Sequence, residues 1–178
     1  MALPNGLAAD SSGNLYLANS GMPFLPGAIH KITLGSAFAI ATQGVFHSFA
    51  AYKPNGLRYA NGKLYVTVNP FSYVGLSQLL RYDLGANGLS NPTPIYSSLA
   101  FLDDFALVDS GAVVSEFLAG RIVHVNERGG ELHQASFSQP TSVSLLTAPT
   151  YGVGNLLVTE RSRGNVQRFI NNWGLRPR

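Results

Sequence analysis

A few oxygen-bearing side chains stand at recurring places in this chain. Asn5 lies eight residues before Gly13, Asp103 eight before Gly111, and Asn55 seven before Gly62, because the YANGK stretch is one residue shorter than ADSSGN. Each stands just ahead of a short apolar run. Carboxylate and amide oxygens converging at one end of neighbouring strands are the hard ligands that Ca²⁺ or Mg²⁺ takes, and an acid there can also carry a proton. A second reading is turn chemistry: Asn and Asp before Gly are ordinary turn formers, since Gly takes positive φ cheaply and an Asx side chain caps its own turn. Asp103-Asp104-Phe105 contains neither Gly nor Pro, so it is no evident copy of a Pro-Asn-Gly turn. Both readings stay open on spacing alone.

The elements that must position these residues repeat as well. LPNGLAADSSGNLYLAN, from Leu3, returns as KPNGLRYANGKLYVTVN, from Lys53. Taking the Gly before each apolar run as a ruler gives Gly13, Gly62, Gly111 and Gly154. GLAAD, GLRYA, FALVD and SVSLL precede that ruler as first strands, and NLYLAN, KLYVTV, AVVSEF and NLLVTE follow it as second strands. Third strands follow from Ala28, Ser77, Gly120 and Gly164, largely alternating apolar and polar residues. Weaker fourth strands read as AFAIAT, PTPIYS and ELHQASF, and after the last unit only NNWGLRPR remains. Four-stranded units of roughly 40 to 45 residues mark a β-propeller. The expected fold is therefore all-β, a single β-propeller domain over 1–178 with four recognisable blades at approximately 3–46, 47–100, 101–138 and 139–178. Side chains that open the innermost strands would point into the mouth of a central channel. Trp173 and most other aromatic residues are expected to pack between blades. With no fourth strand in the last unit and an inner strand at the start, the array is expected to be unclosed. Its apolar flanks near Leu7, Leu15, Leu17, Leu156 and Val158 would then favour self-association.

Composition excludes several classes. The chain is 46% hydrophobic and only 12% charged, with abundant Gly and Pro, the usage of a turn-rich β protein. With no cysteine, it can have no disulfide, thiolate metal site or Cys nucleophile. The net charge is +3, and the cations gather only at Arg161, Arg163, Arg168, Arg176 and Arg178, read as a solvated, frayed tail rather than a phosphate-binding patch. No nucleic-acid partner is expected. No run of eighteen apolar residues is present, so no membrane partner is expected either, and Met1–Asp10 lacks the pattern of a signal peptide. Few charges and no thiols lean towards an extracytoplasmic bacterial setting. His30, His47, His124 and His133 show no HxxxH or paired spacing and read as surface or rim residues. Glu116 and Glu160 end second strands, where they would either approach the channel or sit at exposed strand ends. No GxSxG elbow, P-loop or GxGxxG is present.

In order, PNGLAAD, PNGLRYANGKLYVTVN, LDDFALVDSGAVVSEFLAGRIVHV and QPTSV…LLVTERSRGNVQRF resemble successive blades of the gluconolactonase/regucalcin group, six-bladed calcium-dependent propellers related to paraoxonases and strictosidine synthases. The resemblance implies that the chain forms part of a six-bladed propeller with one Ca²⁺ or other divalent cation at the channel mouth. It places Asn55 where the family's asparagine ligand stands and Asp103 where its aspartate ligand and acid/base stands. Asp103 is preceded by Leu102 and followed by Asp104, which leaves open which acid faces the channel, so both are candidate catalytic residues. Asn5 matches an asparagine that contacts substrate or water near the metal, and Gln139-Pro140-Thr141-Ser142 resembles the opening of a late blade. The glutamate ligand of a first blade is expected to lie outside this sequence. The implied activity is hydrolysis of a small-molecule lactone or ester. The alternative is a non-catalytic propeller serving as a binding or structural module.

Overall fold

The computed structural model describes residues 3–22, 25–72, 74–148, 150, 152–169 and 173–178. Apart from short 3-10 segments, their regular structure is entirely β-strand. The first sheet runs β1 (Pro4–Ala9), β2 (Leu15–Asn19), β3 (Gly27–Leu34) and β4 (Ile40–Phe49). The second runs β5 (Tyr52–Ala60), β6 (Lys63–Pro70), β7 (Ser77–Leu84) and β8 (Leu89–Ser98). The third runs β9 (Leu102–Val108), β10 (Gly111–Glu116), β11 (Arg121–Asn126) and β12 (Glu131–Ser136). The fourth contains β13 (Pro140–Leu145), β14 (Leu156–Glu160) and β15 (Asn165–Phe169). Within each sheet, strands lie in sequence order and the paired neighbours run antiparallel. These are the up-and-down blades of the propeller-type, all-β fold that the repeats predict. Short connections with turn chemistry make them: Asn61 and Gly62 both take positive φ, 50° and 74°, at the hairpin between β5 and β6.

Two details differ from the sequence reading. In the first sheet the fourth strand starts at Ile40, because Ser36–Phe38 form a 3-10 turn with Ala37 and Phe38 at positive φ. The C-terminal residues do not fray. Arg176 offers its carbonyl to the Asp109 N–H at 3.1 Å, Pro177 bridges Val108, Leu175 is buried, and the Arg178 guanidinium pairs with Glu127. An apolar anchor and backbone bonds hold the segment against the third sheet, beyond the reach of a charge-count argument. The fourth sheet has three strands among the described residues.

The chain divides into two compact units, Met1–Pro94 and Ile95–Arg178. In the first, Tyr16, Ala18 and Ile29 of one sheet and Leu57, Leu64, Val66, Leu80 and Tyr82 of the next share one buried cluster, with Phe49 closing it. In the second, Ala106, Val108, Val113 and Ile122 pack with Val143, Leu156, Val158 and Leu175. A single sheet cannot bury both its faces, so each pair of sheets forms its own core. Leu7 is 54% exposed, whereas Leu15 and Leu17 are half-buried. Leu156 and Val158, expected on an exposed flank, are wholly buried in the second core.

In the first unit, β1 meets β5 backbone to backbone. A Cβ on Gly6 would stand 2.5 Å from both the Asn55 carbonyl oxygen and the Leu57 nitrogen, so only glycine fits. Gly44 in β4 has nothing within 4 Å of such a Cβ. Gly6→Ala is expected to destabilise the protein by about 1–3 kcal/mol through overpacking. Gly44→Ala should be neutral or stabilising by about 0.5 kcal/mol. Urea unfolding of the two variants checks both outcomes.

Candidate functional site

The first strand of every sheet leaves regular register near its start. Pro4 pairs with Asn19 and Leu7 with Leu17, so Asn5 and Gly6 together face Ala18. Pro54 pairs with Val68 and Leu57 with Val66, so Asn55 and Gly56 face Thr67. Leu102 pairs with Glu116 and Phe105 with Val114, so Asp103 and Asp104 face Ser115. The fourth sheet repeats the irregularity between Pro140 and Ser142, opposite Glu160 and Thr159. Such a bulge adds a residue to one strand, bends it and turns a side chain out of the alternating pattern. It also removes ladder partners, and in the second and third sheets hydroxyls on the second strand replace them. Gly56 N–H donates to Thr67 Oγ1 at 2.8 Å, and Asp104 N–H donates to Ser115 Oγ at 2.9 Å. The Ser115 hydroxyl in turn donates to the Asp104 carbonyl at 2.9 Å. Across the fourth bulge, the Thr141 and Thr159 hydroxyls stand 2.8 Å apart.

This register identifies equivalent positions. Asn5, Asn55 and Asp103 occupy the first bulge position, and Gly6, Gly56 and Asp104 the second. Asp103, not Asp104, is therefore the counterpart of the repeated asparagine. Asp104 stands in the glycine's place, and its Oδ2 accepts from Ser142 Oγ at 2.8 Å, tying β9 to β13.

The surroundings of these positions differ. Asn5 is exposed, Asn55 is buried at 7% exposure, and Asp103 and Asp104 are half-buried. Asn5 and Asn55 belong to the first unit, Asp103 and Asp104 to the second. Asn55 Oδ1 is buried without a hydrogen-bond partner among the described residues, a costly state for an amide oxygen. Opposite one another nearby, Lys53 and Asn69 are also buried, and the Lys53 ammonium lies 5.2 Å from the Phe71 ring centre. For a divalent cation, the Asn55 amide oxygen and the Asp103 carboxylate are fitting donors in kind: hard oxygens, one neutral and one charged. Among the described residues, no group of three His, Asp or Glu side chains is placed to hold a metal ion.

The glutamates that end second strands are neither exposed nor idle. Glu116 is fully buried and accepts from Arg121 Nε and from Tyr96 OH at 2.8 Å. Burial pushes its carboxyl up, but hydrogen bonds from Arg121, Ser98 and Tyr96 outweigh burial and leave it below the usual range. Burial, followed by the carboxylates of Glu116 and Glu131, raises the Tyr96 phenol. Glu160, also buried, takes the Ser138 N–H and the Gln167 side-chain amide.

Histidine pairing, absent from linear spacing, comes from hairpin register. His124 and His133 stand directly opposite on β11 and β12, stack at 5.6 Å and continue onto the Trp173 ring. Their positions are equidistant from Arg128-Gly129 in the hairpin loop, a signal that spacing rules for metal ligands overlook. His124 is buried rather than on a rim, with Nε2 2.9 Å from Ser110 Oγ and Nδ1 without a hydrogen-bond partner among the described residues. Burial, then His133, depresses the His124 pKa, and burial depresses that of His47, which packs on Phe49 and Tyr82.

No protein-family model and no curated protein matches the chain. Several solved structures share its fold. A gluconolactonase from Xanthomonas campestris superposes with TM-score 0.67 at 15% identity, covering 88% of this chain and 54% of that one. A candidate gluconolactonase gives TM-score 0.69 at 16% identity, covering 97% and 59%. A candidate oxidoreductase (glucose dehydrogenase) from Thermus thermophilus gives TM-score 0.67 at 14% identity, covering 94% and 61%. At these identities the likeness is one of fold. The chain spans less than two thirds of the length of each of these structures.

Two outcomes follow from the site's physical chemistry. Thr67→Val keeps the shape of a fully buried side chain but leaves the Gly56 N–H without its acceptor, and should cost about 1–3 kcal/mol in urea unfolding. His47 and His124 have folded pKa values below the ordinary 6.5. Their stabilisation is complete above that value and is lost as pH falls through the folded values. The unfolding midpoint is thus expected to fall on acidification below about pH 6.5, and His124→Gln should make that fall shallower. Denaturation curves across the range check the sign.

Proposed function

We propose that the protein is a gluconolactonase-like propeller that hydrolyses a small lactone or ester with the help of a divalent cation, Ca²⁺ first among candidates. The observation that carries this reading is the repeated bulge, which sets Asn5, Asn55 and Asp103 at one equivalent position. Asn55 Oδ1, buried and lacking a hydrogen-bond partner among the described residues, is the candidate cation ligand of the first unit, and the Asp103 carboxylate that of the second. Bound there, such a cation would polarise a carbonyl and lower the pKa of water. Asp103 would accept a proton from the water that adds to the carbonyl carbon, and return it to the ester or ring oxygen as the C–O bond breaks. Asp104, bonded to Ser142 and Ser115, would keep the bulge in place for its neighbour. Asn5, exposed, would meet substrate.

A second reading has its own support. The chain spans 54–61% of the structures it resembles, and a part-length propeller can serve as a binding or structural module. The exposed Leu7, and a fourth sheet with three strands among the described residues, support association of the chain with a second copy. Sedimentation at micromolar concentration tests that: a concentration-dependent dimer is expected, and a persistent monomer would contradict it.

Calorimetric titration with Ca²⁺, followed by a panel of aliphatic lactones and esters, separates the two readings. Saturable Ca²⁺ binding with turnover supports the enzyme, and binding without turnover selects the module. For the enzyme, Asp103→Asn should lower kcat about 10²–10⁴-fold. Asn55→Leu should weaken Ca²⁺ binding, and Asp104→Asn should cost much less activity than Asp103→Asn.

A further inference from the structure

Glu116 and Glu160 are the same residue of two blades, and among the described residues only Glu116 has an ion-pair partner. Glu116 faces Leu102 on one side and Arg121 on the other; Glu160 faces Pro140 and Asn165. In the third sheet the Arg121 guanidinium bonds Glu116 and reaches Gln134 and Glu131 as well. In the fourth sheet Asn165 stands where the arginine would, and Glu160 has no ion pair among the described residues. It is nonetheless only 2% exposed, its carboxylate held by two hydrogen bonds, from Ser138 N–H to Oε1 and from Gln167 Nε2 to Oε2. Each oxygen keeps a second acceptor site. A buried carboxylate without a cation is an expensive arrangement, and folds seldom retain one idly.

Glu160 lines a hollow of about 280 Å³ with Ser136, Phe137, Ser138, Arg163 and Gln167. That volume is near the lower end for ligand pockets and suits a small molecule. Its wall carries fixed charges of both signs: the buried carboxylate and the exposed Arg163 guanidinium. Phe137 supplies an apolar side. Next in the chain after Ser138, Gln139 is held at φ 54°, a conformation costly for a residue other than glycine. Its carbonyl accepts from Arg161 N–H at 3.0 Å and its Oε1 from Ser162 Oγ at 3.1 Å. A simple anion would be repelled by Glu160, and a simple cation by Arg163.

We infer that this hollow binds a small zwitterion of the α-amino-acid class, with its ammonium group on Glu160, where the neighbouring blade places an arginine, and its carboxylate on Arg163. The site lies within the second unit, includes none of Asn5, Asn55, Asp103 and Asp104, and does not depend on the hydrolytic reading. Charge-assisted hydrogen bonds at both ends give it selectivity over either half of the ligand. Phe137 accommodates a short apolar side chain.

The probe is L-alanine, titrated into the full chain and followed by amide NMR shifts, with propionate, ethylammonium and glycerol as partial mimics. Saturable alanine binding is expected, with shifts at Phe137, Ser138, Glu160, Arg163 and Gln167, and each mimic about tenfold weaker or worse. Arg163→Ala, an exposed change, should leave the unfolding midpoint unchanged and weaken alanine about tenfold. Glu160→Gln should abolish binding. Should that variant fail to fold, Arg163→Glu carries the test, weakening alanine while strengthening ethylammonium. No saturable alanine binding, glycerol binding as tightly as alanine, or an Arg163→Ala variant that binds like the unaltered chain would each overturn the inference. So would loss of stability in Arg163→Ala, which would make Arg163 itself the cation of Glu160.

Discussion

A strand that leaves register must find new partners for its backbone, and this protein meets that demand visibly at the start of its second and third sheets. Two residues of the first strand face one residue of the second, and where Thr67 or Ser115 stands opposite, its hydroxyl takes the amide that the ladder no longer serves. That substitution lets Asn55 and Asp103 depart from the alternating pattern without leaving the backbone beneath them unsatisfied. A separate constraint, the backbone-to-backbone approach of β1 and β5, explains the glycine of the first Pro-Asn-Gly: Gly6 meets the backbone of Asn55 and Leu57 at 2.5 Å from a would-be Cβ, while the asparagine is free to vary in burial and in role.

The same repeat acts as an internal control for electrostatics. Position for position, Glu116 and Glu160 share burial and their place at the end of a second strand, yet one is neutralised by Arg121 and the other only by hydrogen bonds. Blades can thus keep a backbone plan constant while exchanging one residue that decides whether a charge is structural or available. Asp104 shows the same freedom: a glycine position is given an acid, and Ser142 of the next sheet takes its carboxylate. Repeats conserve register more strictly than chemistry.

Much of this was legible in the sequence because strands, turns and blade period are local properties. The Gly ruler found the four units, and counting back from it reached Asn5, Asn55 and Asp103. Asp103 and Asp104 could not be told apart, since that needs the pairing of Leu102 with Glu116 and of Phe105 with Val114. His124 and His133 were overlooked because hairpin register, not a fixed interval, brings them together. The tail was legible only in part: its arginines are exposed, as their charge suggests, but Leu175 and the backbone bonds around Arg176 hold the segment in place. Glu116 and Glu160 looked like strand ends, and only tertiary packing reveals them as buried.

Amide hydrogen exchange of Gly56 and Asp104 tests most directly whether hydroxyl-satisfied bulges hold the candidate residues. Both amides should exchange as slowly as those of the flanking strand core. In a Ser115→Ala variant the Asp104 amide should lose protection selectively, while Gly56 and the β11 amides keep theirs. Fast exchange of both amides in the unaltered protein, or an Asp104 amide indifferent to the loss of the Ser115 hydroxyl, would contradict the account.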